Sequence, residues 1–293
     1  MRSLLARRSA LLGLGLTALA ACGSDDPAPA SPSKSPSKSP SKSPSPSPSP
    51  RREPPVGAPA LGAGREELRR IEDEHDAVVG LAAADTTGLL LAHRADTRLA
   101  LCSTVKPLVA AALLARDGAP DPRMRAWITA AVRDSDNEAA NALLAELGGP
   151  ATVTAYLRAL GDDITRLDRW EPALNEHVPG DPRDTTSPAA LASTYAALLL
   201  GGALEEGARD LLTGLMVDAT TGDARIRAAV PAGWRVGDKT GTGGHGTVND
   251  VAVLWPPGRD PWVLAVLVRS QHADGEVPES AVAEAAAVAI RYV

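Results

Sequence analysis

Ser103 and Lys106 stand three residues apart, between the apolar run Leu99-Ala100-Leu101-Cys102 and the alanine- and leucine-rich segment Leu108 to Leu114. That context predicts the start of a buried helix, and residues i and i+3 share a helix face. The chemistry this allows is covalent catalysis. A serine hydroxyl is a weak nucleophile until a base takes its proton. A lysine whose pKa is lowered by burial can be that base. Taken alone, such a short pattern recurs by chance and reads as an N-capping serine followed by a solvated lysine, so the rest of the chain has to decide.

Three further stretches bear on it. Ser135-Asp136-Asn137 falls where a helix is expected to begin. Arg169-Trp170-Glu171-Pro172-Ala173-Leu174-Asn175 lies in residues 161–187, which show no sustained period and read as a packed Ω-loop. Lys239-Thr240-Gly241-Thr242-Gly243 follows the expected strand Trp234-Arg235-Val236. In order, S-x-x-K, S-D-N and K-T-G are the motif set of class A β-lactamases and penicillin-binding proteins. With E-P-x-L-N in the loop, the chain from about Arg65 to Val293 resembles a class A serine β-lactamase.

The resemblance implies a role for each residue. Ser103 would attack the lactam carbonyl and form an acyl-enzyme, with the N–H groups of Ser103 and Thr242 as the oxyanion hole. Lys106 would sit against Ser103 and tune its proton. Ser135 would pass a proton to the leaving lactam nitrogen, and Asn137 would bond Lys106 and the substrate amide. Lys239, Thr240 and Thr242 would hold the substrate carboxylate. Some family members add an arginine at the place occupied here by Val248. Others place it before the K-T-G strand, which Arg225 matches; Arg227 then reads as structural. Glu171, with Asn175, would activate the water that cleaves the acyl-enzyme. Arg169 and Asp184 would pair to pin the loop. No metal or cofactor is expected, and the substrates would be small β-lactams. Two rivals remain: a penicillin-binding or D,D-peptidase-like wall hydrolase, against which Glu171 and Asn175 argue, and a non-catalytic β-lactam sensor.

The chain departs from the family in one place. Only 32 positions separate Ser103 from Ser135, where family members carry a much longer segment with an aromatic gatekeeper. No Tyr or Phe lies between the two serines, and Trp127 falls on an apolar helix face. A site more open on that side is expected.

The elements that must position these residues follow from pattern. Strands are expected over residues 77–83 and 89–92 around Asp85-Thr86-Thr87-Gly88, then over 234–237, 248–255 and 262–268. Helices are expected over 65–75, from Ser103, after Asp121-Pro122, over 137–147 and 152–160, after Ser187-Pro188, and over 280–292. Together they predict an α/β plus all-α fold: an antiparallel five-stranded sheet flanked by helices, with a helical lobe, of β-lactamase/D,D-peptidase type. Phe is absent and aromatics are 3%, so the core must be Ala, Leu and Val.

Ahead of this domain, expected over 64–293, two segments differ in kind. Residues 1–22 read as a leader: Arg2, Arg7 and Arg8 precede a short apolar run, and Leu19-Ala20-Ala21-Cys22 resembles a lipobox, with Cys22 the lipidated residue. Arg7-Arg8 loosely resembles a twin-arginine signal. Residues 23–63 read as a disordered Pro/Ser/Lys tether. The expected location is the outer face of the cell membrane, with the membrane met only through Cys22 and the domain a monomer. Residues 53–293 carry 22 basic and 34 acidic side chains, a balance ill suited to nucleic acid. Gly241 to Gly246 matches G-x-G-x-x-G, but a strand rather than a helix is expected next. The five histidines show no metal spacing, and Cys102 is expected to be a free buried thiol.

Overall fold

The structure is a computed structural model and describes residues 62–293. The leader and tether expected over 1–22 and 23–63, Cys22 included, lie outside the described residues except that Gly62 and Ala63 open the first helix.

That helix, α1 (Gly62–Glu74), turns Leu68 and Ile71 inward. β1 (Ala77–Asp85) and β2 (Gly88–His93) form a hairpin. Its turn is held by the Asp85 carboxylate, which accepts from the Thr87 N–H at 2.6 Å and the Gly88 N–H at 3.2 Å. The short β3 (Leu99–Ala100) leads into a single 3-10 turn, Cys102–Val105, and then α2 (Lys106–Asp117). α3 (Pro122–Arg133), α4 (Asn137–Leu147) and α5 (Pro150–Ala159) complete the first helical stretch.

The caps explain these boundaries. Asp121 accepts from the Met124 N–H at 2.8 Å and Asp136 from the Ala139 N–H at 2.7 Å, each satisfying an orphan donor of a first turn. Gly148, at φ 86°, ends α4 in the left-handed conformation that glycine adopts freely.

The loop expected over 161–187 is there. It contains one 3-10 turn, Ala173–Asn175, and β4 (Thr185–Thr186), which pairs with β3. α6 (Pro188–Leu199) begins at a Ser187 cap, whose hydroxyl accepts from the Ala190 N–H at 3.3 Å. α7 (Glu206–Val217) and α8 (Ile226–Ala229) precede β5 (Arg235–Gly243), β6 (Thr247–Trp255) and β7 (Trp262–Ser270), and α9 (Glu279–Tyr292) closes the fold.

The five long strands make one antiparallel sheet, as expected; their order is β2-β1-β7-β6-β5. Both faces are covered. Val263, Ala265 and Leu267 of β7 face α6 and join the core that continues through α2 and α4, while Leu264, Val266 and Val268 face α9 and join the core that includes α1. Two buried faces require near-continuous apolar strands rather than alternation, hence the unbroken run of residues 262–268.

Several elements differ from expectation: β3, β4 and α8 were not expected, and the helix expected from Ser103 opens as the 3-10 turn, with α2 proper starting at Lys106. The K-T-G stretch does not follow its strand but is part of it: Lys239 pairs with Val251 and Thr242 with Val248. α7 has no counterpart in the sequence reading, because Gly207 and Gly214 dilute its helical signal.

Candidate active site

The nucleophile turn is wedged against β5. A Cβ on Gly241 would lie 3.0 Å from Leu101 O and 3.2 Å from Ser103 N. Only a glycine lets the strand approach this closely. The approach sets Thr242 on β5 beside the turn that carries Ser103. α6 braces the turn from behind, where the Tyr195 hydroxyl donates to Thr104 O at 2.6 Å.

Lys106 is 1% exposed. Its ammonium donates to Ser135 O and Asn137 Oδ1, each at 2.6 Å, and lies 3.2 Å from Glu171 Oε1 and 3.4 Å from Ser135 Oγ. The expected bond to Asn137 is present. Ser103 and Lys106 share a partner: the Ser103 hydroxyl donates to the same Glu171 Oε1, at 3.4 Å. Glu171 Oε1 therefore serves both the serine and the lysine. A buried ammonium gains most from a nearby carboxylate, which accounts for where the lysine turns. Burial pushes Lys106 below the usual lysine range, while Glu171 pulls the other way.

The loop holds Glu171 by its main chain as well. The Asn141 side chain on α4 accepts from the Glu171 N–H and donates to Glu171 O, both at 3.0 Å. The Glu171–Pro172 peptide is cis. Asn175 donates to Glu171 Oε2 at 2.5 Å, and its own Oδ1 is buried without a partner among the described residues. Arg169 and Asp184 pair at 2.5 Å, and Asp184 also accepts from the N–H groups of Asp168 and Arg169 at 2.7 and 2.9 Å. Beside Glu171, the Trp170 indole is 41% exposed.

Across the cleft, Lys239 is fully buried and donates to Ser135 Oγ at 2.9 Å. Burial first, and the Lys106 charge next, bring it down to about 7. Ser135 itself sits at φ 60°, a left-handed backbone uncommon outside glycine and frequent at functional positions. The Thr240 hydroxyl shares a 2.9 Å bond with that of Thr221.

Arg225 lies behind Thr242. Its Nε and Nη2 donate to Glu279 Oε1 at 2.8 and 2.6 Å, Nη2 also to Thr242 Oγ1 at 2.7 Å, and Nη1 to Gly241 O and Asn249 O at 2.9 and 2.6 Å. These five bonds use all five guanidinium N–H groups. The expected carboxylate-binding arginine thus lines the cleft beside the Thr242 hydroxyl, with Glu279 as its counter-ion. Glu279 and Asn141 are site residues that the sequence reading missed. Val248 is buried in the core, and Arg227 pairs with Asp238, a structural role.

The cleft so formed is about 330 Å³ and is lined by Ser103, Ser135, Asn137, Thr240, Thr242 and Glu279 among others. Its wall at Ser135 is the bare turn between α3 and α4, with Asn137 exposed. Trp127 packs on the helical core under the Arg123 guanidinium, 4.7 Å away. Cys102 is a free buried thiol, pushed up to about 12 by burial and so unreactive.

The fold and this arrangement define a serine hydrolase of the acyl-transfer class, its nucleophile served by a buried lysine–glutamate pair. A model of the beta-lactamase enzyme family matches residues 120–293. The beta-lactamase of Amycolatopsis lactamdurans is 43% identical over 263 residues, covering 80% of this chain and 87% of its own. The carbapenem-hydrolyzing beta-lactamase KPC of Klebsiella oxytoca is 44% identical, covering 77% and 87%. Among solved structures, the beta-lactamase from Desulfarculus baarsii aligns with a TM-score of 0.75 at 42% identity, covering 80% of this chain and 98% of that one. An ancestral class A beta-lactamase aligns at 0.72 and 44%, covering 78% and 99%. The chain belongs to the beta-lactamase enzyme family, with class A enzymes as its structural relatives.

Proposed function

We infer that this chain hydrolyses the amide bond of β-lactams through an acyl-enzyme on Ser103. The observation that carries the reading is Glu171, bonded by Asn175 on one oxygen and 3.4 Å from the Ser103 hydroxyl on the other. Ser103 Oγ adds to the lactam carbonyl while its proton passes to the Glu171–Lys106 pair. The carbonyl oxygen takes the developing charge toward the N–H groups of Ser103 and Thr242. The C–N bond breaks as Ser135, fed by Lys106 and Lys239, delivers a proton to nitrogen. Lys239, Thr240 and Thr242 hold the substrate carboxylate, with Arg225 behind Thr242. Water then attacks the ester as Glu171 takes its proton, and the buried Asn175 Oδ1 is a ready acceptor for that water.

Turnover of a chromogenic cephalosporin, with intact mass for wild type and Glu171→Gln, tests this. Wild type turns over, and the variant accumulates the adduct as its rate falls about 10²–10⁴-fold. A lasting adduct in both proteins supports the sensor reading. Its absence in both would direct attention to wall peptides.

We further propose that the chain is exported as a lipoprotein anchored through Cys22, on the strength of the lipobox-like Leu19-Ala20-Ala21-Cys22. The catalytic unit would act as a monomer, every residue of the cleft coming from one chain. Palmitate labelling of cells making wild type but not Cys22→Ser supports the anchor, and equal labelling sinks it.

A further inference from the structure

The loop that carries Glu171 is seated on the β5–β6 turn by main-chain contacts around Asn175. The Gly244 N–H donates to Asn175 O at 2.8 Å. A Cβ on Gly243 would lie 2.7 Å from that oxygen, and one on Gly244 would lie 3.4 Å from His177 N. The glycine at 243 thus lets the hairpin tip close on residues 175–177. His177 is buried at this seam, 8% exposed, and its Nε2 has no hydrogen-bond partner among the described residues.

The charged groups that face His177 favour a neutral ring. Arg269 approaches from β7, His245 from the hairpin tip, and Asp181 and Arg169 from the loop itself. Asp181 is committed to Arg183, and Arg169 to Asp184 and Glu176. Arg269 donates to Ser270 O at 2.7 Å and has no carboxylate partner among the described residues. Burial, with Arg269 and His245, holds His177 below the ordinary histidine value of 6.5.

We propose that His177 is a positioning residue for deacylation: neutral, it lets the loop close on the hairpin; protonated, it forces the seam apart and withdraws Asn175 and Glu171 from the acyl-enzyme. This rests on the reading of Glu171 as the deacylating base. An imidazolium here would bury an N–H without an acceptor beside Arg269, and an unpaired buried charge is the costliest group a seam can hold. The effect falls hardest on deacylation, where Glu171 and Asn175 together hold the water, although Glu171 also shares the Ser103 proton during acylation. Asn175 and the hairpin tip meet at the seam, whereas Ser103 and Lys106 are fixed by β5, α2 and α6. As pH falls, acyl-enzyme should therefore accumulate.

The test follows decay of preformed acyl-enzyme by intact mass across pH, for wild type, His177→Gln and Arg269→Gln. Wild-type decay slows severalfold at a pH below the ordinary histidine value of about 6.5. In His177→Gln that limb moves to lower pH. In Arg269→Gln a facing cation is gone, His177 takes its proton more readily, and the limb moves to higher pH. Opposite shifts are not produced by a merely structural role, and coincident profiles in all three proteins overturn the proposal. Should His177→Gln fail to fold, NMR titration of the His177 ring in wild type and Arg269→Gln carries the test: a ring whose midpoint does not track the limb overturns it. Continued turnover in Glu171→Gln would defeat the deacylation reading instead, while opposite shifts would still tie His177 to the step.

Discussion

The Ser135 hydroxyl oxygen lies between two buried ammonium groups, 2.9 Å from Lys239 Nζ and 3.4 Å from Lys106 Nζ. Two like charges sharing one buried oxygen disfavour each other, so one of them must titrate within reach of neutrality. Lys239, brought down to about 7, is that group.

A pH dependence follows. Below about 7 Lys239 carries the charge that attracts a substrate carboxylate, and above it the charge is lost. kcat/KM for a carboxylate-bearing lactam should fall as pH rises through about 7, and Lys239→Met should lose this alkaline limb. Stability has the opposite sign. The folded value lies below 10.5, so between about 7 and 10.5 the unfolded chain holds the extra proton and this group's contribution to stability rises with pH. An alkaline limb that survives in Lys239→Met would assign it elsewhere.

Gly243 should not accept a side chain. A Cβ there would stand 2.6 Å from Cys102 Sγ and 2.7 Å from Asn175 O. The oxygen is main chain and cannot rotate away, so Gly243→Ala must lift the hairpin from the loop, at about 1–3 kcal/mol as in other overpacked sites. Thermal unfolding reads this directly. An unchanged midpoint would mean that the hairpin yields freely.

Glu279 holds two of the five Arg225 donors. Glu279→Ala would free them, and KM for carboxylate-bearing lactams should drop roughly three- to tenfold with kcat little changed. Stability should decline at the same time, because a nearly buried guanidinium loses its counter-ion. Steady-state kinetics beside a melt checks both directions, and an unaltered KM would show that Arg225 stays turned to the main chain.

Short motifs and their spacing were enough to place Ser103, Lys106, Ser135, Glu171 and Lys239 in one cleft, because each sits at a turn or strand with a local signature. The sheet and most helices were legible for the same reason: caps at Asp121, Asp136 and Ser187 are local chemistry. What escaped was long-range. Asn141 matters because α4 brings it under the loop, 30 residues from the main chain that it holds. Glu279 meets Arg225 across 54 residues. The ion pair of Lys106 with Glu171 spans 65 positions and depends on burial, which no spacing records. α7 was missed because its packing, not its propensity, makes it a helix.

The chain has no phenylalanine, and Trp127, Trp234, Trp255 and Trp262 are wholly or partly buried. Trp170 alone among the tryptophans is exposed, and it is the residue that precedes Glu171. Its indole therefore looks into solvent from the segment that holds Glu171 against Asn141 and Asn175. Quenching by iodide or acrylamide, and the colour of emission, should report that segment's opening without any attached dye, so the protein carries its own optical gauge of the loop.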